Sequence, residues 1–95
     1  KYDKGHVAVI GGIMSGAARL VAFASRKVGA GLSTILVNRN HLKYYSNSEP
    51  GTIVSEYSDK QLLKKDVLVI GPGLGKNYDK NLIKKIIFNF HLLKF

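Results

Sequence analysis

Apolar residues in this chain fall into two patterns. His6-Val-Ala-Val-Ile-Gly11, Leu32-Ser-Thr-Ile-Leu-Val37 and Val67-Leu-Val-Ile70 are short, β-branched and nearly unbroken. Runs without polar alternation read as strands buried on both faces, the pattern of a parallel sheet. Elsewhere the apolar positions recur at helical spacing. Ala17, Leu20, Val21, Ala24 and Val28 share one face of a helix expected over 16–28, with Ser15 as its N-cap and Arg19, Arg26 and Lys27 off that face. Gly29-Ala-Gly31 ends it as a C′ glycine does. Leu82, Ile83, Ile86, Ile87 and Phe90 mark the face of a last helix, capped by Asn77 or Asp79, with Lys80, Lys84 and Lys85 mainly opposite. Between these lie a short strand over 52–57, a short helix over 41–45, and another from Asp59 to 65.

The order is β-α-β-(α)-β-α-β-α. A strand, helix and strand in succession make a right-handed unit with parallel strands. The expected architecture is therefore α/β: three layers, with a mainly parallel sheet and flanking helices. Two glycine-rich turns follow strands, at Gly12 to Gly16 and at Gly71-Pro-Gly-Leu-Gly75. Pro72-Gly73 suits the central pair of a type II turn, since Pro presets φ and Gly supplies φ > 0. Bare backbone beyond a strand's carboxyl end, beside a helix N-terminus, suits a phosphate-bearing ligand. It equally suits a tight turn with no ligand, and the glycines alone leave both open.

Composition narrows the chemistry. Ninety-five residues make one small domain. With no Cys there is no disulfide framework, thiolate nucleophile or cysteine metal site. His6, His41 and His91 lack metal-ligand spacing, so no metal site is expected. The net charge is +9, but the lysines spread from Lys1 to Lys94 without interleaved aromatics, which argues against a specific nucleic-acid site. No apolar run reaches transmembrane length and no secretory h-region follows Lys1, so the expected compartment is the cytoplasm, with no membrane partner. The dinucleotide fingerprint fails, because the first glycines are Gly11, Gly12 and Gly16, and Asn38-Arg39 stands where an acid belongs. The Walker A loop fails as well: Gly71 to Lys76 is one residue short and ends in Asn77.

Three stretches together resemble the NAD(P)H-hydrate dehydratases, repair enzymes with a ribokinase-like α/β fold. They are Val7-Ala-Val-Ile-Gly-Gly with Ser15-Gly-Ala-Ala18; Ala24-Ser-Arg-Lys-Val-Gly-Ala-Gly-Leu32; and Asp66-Val-Leu-Val-Ile-Gly-Pro-Gly-Leu-Gly75. Their order and spacing match over nearly the whole chain. The resemblance implies an ADP- or ATP-dependent hydro-lyase, with Mg²⁺, that dehydrates hydrated NADH or NADPH after phosphorylating its hydroxyl. It implies substrate contacts at Ala17 and Gly73, and the glycine turns themselves offer candidate backbone contacts at Gly12, Gly16, Gly71 and Gly75.

The same resemblance implies what to look for and not find. The family's His-Pro-Gly-Glu stretch, its nucleotide segment and its G-x-G-D motif do not occur in these residues, so no catalytic residue is assigned. The apolar end at His91-Leu-Leu-Lys-Phe95 reads as interrupted. The expectation is thus the N-terminal portion of an incomplete ribokinase-like domain over residues 1–95, inactive alone, with a complementing C-terminal chain or a homo-oligomer as partner. The alternatives are a non-catalytic remnant that binds a dinucleotide, and a portion of another ribokinase-like small-molecule kinase.

Overall fold

Four parallel strands form the sheet: β1 (His6–Ile10), β2 (Leu32–Val37), β3 (Thr52–Glu56) and β4 (Val67–Ile70). Their order across the sheet is β3-β2-β1-β4. The computed structural model describes residues 5–13, 15–27, 29–45, 52–63, 65–71, 74–75 and 78–94. Three helices cross between strands or flank them: α1 (Ser15–Lys27), α2 (Asp59–Leu63) and α3 (Lys80–Lys94), with a 3₁₀ helix at Arg39–Tyr45. The register is continuous, with Val9 beside Ile35 on one side and Val69 on the other.

Alternation along the strands splits the core in two. Val7, Val9, Ile35 and Val37 face α1 and the 3₁₀ helix, and pack with Ala18, Ala22 and Tyr45. Ala8, Ile10 and Leu36 face the other way and pack with Leu62 of α2 and Ile86 of α3. The molecule therefore has the three layers that the strand pattern predicts.

Three local expectations change. The buried face of α1 is Ala18 and Ala22, whereas Leu20 is 69% exposed and Ala24 is also exposed. Small side chains let the helix backbone approach the sheet. There the Ala22 carbonyl lies within hydrogen-bond reach of the hydroxyls of Ser25 and Ser33, at 2.8 and 3.0 Å. On α3, Ile86 is buried and Leu82, Ile83 and Phe90 pack around it, but Ile87 points outward. β4 is only partly buried: Val69 packs into one core cluster and Leu68 and Ile70 into the other, none of them fully buried. It pairs with β1 alone among the described strands, and Val67 is 48% exposed. Helix α1 ends in a Schellman motif: Ala30 N–H donates to the Ser25 carbonyl and Gly29 N–H to that of Arg26, with Gly29 at φ +121°. No described helix is long and apolar enough to cross a membrane.

Candidate functional site at the carboxyl ends of the strands

The chain runs from β1 outward through β2 to β3, then returns to place β4 on the other side of β1. The order reverses between β1 and β4, and an open α/β sheet leaves a crevice outside the carboxyl ends of its strands at such a point. A cavity of about 420 Å³ lies there. Ile10, Leu36 and Val37 form its floor at the strand ends. Leu82, Ile83 and Ile86 of α3, with Ile13 and Leu74, give it an apolar wall. Asn38, Asn40, His41 and Tyr57 supply hydrogen-bonding groups on the other side. Tyr78 and Asp79 complete the lining.

The turn after β1 is held by one long side chain. Tyr45, at the end of the 3₁₀ helix, runs over the strand end and donates its hydroxyl to the Gly12 carbonyl at 2.7 Å. Only a glycine at position 11 leaves room for it. A Cβ there would stand 2.6 Å from the Tyr45 oxygen, 2.8 Å from Ile35 Cγ2 and 2.9 Å from Val37 Cγ1. Burial raises the phenol's pKa, against the opposing pull of the Gly12 hydrogen bond and the Arg19 charge, so it stays a neutral donor.

The other rim is built at the turn after β4. Leu74 N–H donates to the Gly71 carbonyl at 3.4 Å, the closing bond of a four-residue turn. Residues 72 and 73 lie outside the described residues, and with them both the expected type II pair and the Gly73 contact. Gly71 and Gly75 both have positive φ, +130° and +84°. Gly75 abuts Ile13, whose Cγ2 would lie 3.1 Å from an added Cβ. Asp79 caps α3 by accepting the Leu82 N–H at 3.0 Å, as one of the two cap candidates expects. Tyr57 reaches the cavity from the end of β3. Its amide donates to the Val37 carbonyl and its hydroxyl to Asp59 Oδ1 at 2.9 Å. Burial, then the Asp59 carboxylate, push that phenol up to about 12.

The six expected contact positions divide. Gly12 and Gly75 line the cavity. Ala17 is half-buried in the first turn of α1, Gly16 beside it is exposed, and Gly71 is exposed at the end of β4; none of these three lines the cavity. Sequence reasoning missed the polar wall of Asn38, Asn40, His41 and Tyr57. The available signal was the run of polar residues directly after β2, whose end the parallel pairing sets beside that of β1.

Each described carboxylate already holds a partner within the fold, Asp79 among them although it lines the cavity. Glu56 pairs with Arg39 at 3.5 Å, Asp59 accepts from Tyr57 and Asn89, Asp66 accepts the His6 amide at 2.8 Å, and Asp79 caps α3. Among the described residues no three His, Asp or Glu gather as a metal site. No step is derived through Mg²⁺.

A family model described as NAD(P)H-hydrate dehydratase matches residues 7–92. The chain is 40% identical over 95 residues to the bifunctional NAD(P)H-hydrate repair enzyme of Coxiella burnetii, covering 92% of this chain and 20% of that protein. It is 34% identical over 94 residues to the ADP-dependent (S)-NAD(P)H-hydrate dehydratase of Streptococcus pneumoniae, covering 90% of this chain and 32% of that protein. The chain thus spans a fifth to a third of the length of these relatives. Among solved structures, a ribokinase-like superfamily protein from Enterococcus faecalis superposes with a TM-score of 0.71 at 26% identity, covering 90% of this chain and 33% of that one.

Proposed function

This chain belongs to the NAD(P)H-hydrate dehydratase family, and from that premise we propose that its cavity holds part of a hydrated NADH or NADPH molecule for nucleotide-driven dehydration. The observation that carries the proposal is the cavity itself. It is a concave site of about 420 Å³, apolar on one wall and hydrogen-bonding on the other, at the point where the strand order reverses. That size and character suit part of a small organic ligand. The hydrated ring can lie against Leu82 and Ile83 while its amide and hydroxyl groups meet Asn38, Asn40 and His41. Gly12 and Gly75 offer backbone at close range, and Ala17 and Gly73 are the contacts that the family resemblance adds.

In the proposed reaction the hydroxyl of the hydrated ring would take a phosphoryl group from ADP or ATP, releasing AMP or ADP and the hydroxyl proton. The C–O bond then breaks, phosphate leaves with its electron pair, and loss of a proton restores the ring double bond. The role assigned to these residues is to bind and orient the dinucleotide. No acid, base or nucleotide contact is assigned, because the described carboxylates already hold structural partners. That same engagement favours a second reading, a module that binds the dinucleotide without transforming it.

Calorimetric titration with hydrated NADPH tests the binding role. Saturable one-to-one binding is expected. Asn40→Trp, at an exposed position in the cavity wall, should fill the mouth and weaken binding at least tenfold without loss of the fold. Binding unaffected by the substitution would place the ligand elsewhere.

A further inference from the structure

We infer that Tyr45 is a positioning residue for the ligand: it turns the Gly12–Ile13 peptide so that the Ile13 N–H points into the cavity and donates to an oxygen of the bound dinucleotide. The inference rests on the reading that the cavity holds a hydrated dinucleotide. Tyr45 itself does not line that cavity. It belongs to the core on the α1 side of the sheet, with Val9, Ile35 and Val37, and is buried there. Most of the cavity's apolar lining, Ile10, Leu36, Leu82, Ile83 and Ile86, belongs to the core on the other side. The glycine turn after β1 runs between the two.

The Tyr45 hydroxyl donates to the Gly12 carbonyl at 2.7 Å and so draws that oxygen toward the α1 side. The described peptides are all trans. In a planar trans peptide the carbonyl and the N–H that follows it point opposite ways. The Ile13 N–H is therefore turned away from Tyr45, toward the cavity that Gly12 and Ile13 both line. No group among the described residues accepts it. A backbone donor without a protein acceptor is open to a ligand oxygen. The tyrosine is itself held from two sides. The bare backbone at Gly11 gives it room, and Arg19 braces it from α1, with the guanidinium carbon 6.0 Å from the ring centroid and Nη2 donating to the Tyr44 carbonyl at 3.4 Å. The 3₁₀ helix that ends in Tyr45 also carries Asn40 and His41, so the same hydrogen bond ties the polar wall to the glycine turn.

Tyr45→Phe keeps the ring and removes only the hydroxyl. Ser33→Ala is the matched control: it removes a buried hydroxyl that donates to the Ala22 carbonyl at 3.0 Å, at the amino end of the sheet. Each variant is titrated calorimetrically with hydrated NADPH, and its stability is measured by urea denaturation. Tyr45→Phe is expected to weaken binding about tenfold. Ser33→Ala should lose comparable stability and bind as the unaltered chain does. In the ¹⁵N-labelled unaltered chain the Ile13 amide proton should move downfield at saturation, and that movement should shrink in Tyr45→Phe. Unchanged affinity in Tyr45→Phe, an equal loss in both variants, or an Ile13 amide unmoved by bound ligand would overturn the inference and leave the binding role intact. Failure of the unaltered chain to bind would overturn both readings.

Discussion

Any side chain at position 11 must contend with the Tyr45 hydroxyl, Ile35 and Val37, all within 3 Å of where its Cβ would stand. Gly11→Ala should cost about 1–3 kcal/mol, the usual range for overpacking a fitted core, and should release the Gly12 carbonyl from Tyr45. Urea denaturation measures the first effect; unchanged stability would mean that Tyr45 is not held there. The sequence showed Gly11 only as part of a glycine-rich turn. Its actual constraint comes from a tyrosine 34 positions along the chain, which no local pattern reveals.

His6 lies at the opposite end of the sheet. Its Nε2 is 2.6 Å from Thr34 Oγ1, buried Lys65 lies nearby, and Asp66 holds its amide. Burial first, and then the Lys65 charge, lower its pKa below 6.5, against the opposing pull of Asp66. The folded state thus favours the neutral ring. Its contribution to stability is complete above about pH 6.5 and is lost as pH falls through the lowered folded value. His6→Gln should flatten the fall in unfolding free energy between pH 7 and pH 5. A variant that keeps the full slope would assign it to other groups.

At the scale of elements, periodicity placed the helices well and their faces less well. The spacing on α1 is helical, but the face that packs is set by Ala18 and Ala22, not by Leu20 and Ala24. Hydrophobicity favours the larger residue, whereas a helix lying close on a sheet needs the smaller one. Ala22→Leu should therefore cost about 1–3 kcal/mol. Ala24→Leu, one helical face away, should stay within about 0.5 kcal/mol. Equal effects in thermal or urea unfolding would restore the face that periodicity predicts. The strands were legible because a continuous β-branched run has few alternatives. The exposure of Val67 was not, since a run cannot say how many neighbours a strand will have. The Asp79 cap was legible because cap chemistry is local.

At the scale of the whole molecule, the sheet order explains why the site was only partly readable. Gly12 and Gly75 announce themselves as glycines after strands. Asn38, Asn40, His41 and Tyr57 matter only because parallel pairing gathers the ends of β1, β2 and β3 on one edge. The charge of +9 adds a favourable field for a phosphate-bearing ligand without defining where it sits.

The central claim is that this edge, and not the opposite one, takes the hydrated dinucleotide. Titration of ¹⁵N-labelled chain with hydrated NADPH, followed by amide chemical shifts, tests it most directly. The account predicts saturable changes at Gly12, Ile13, Asn38, His41, Leu74 and Gly75, with His6, Ser33 and Asp66 at the amino ends unmoved. Changes confined to the amino ends, or no saturable change at all, would contradict it.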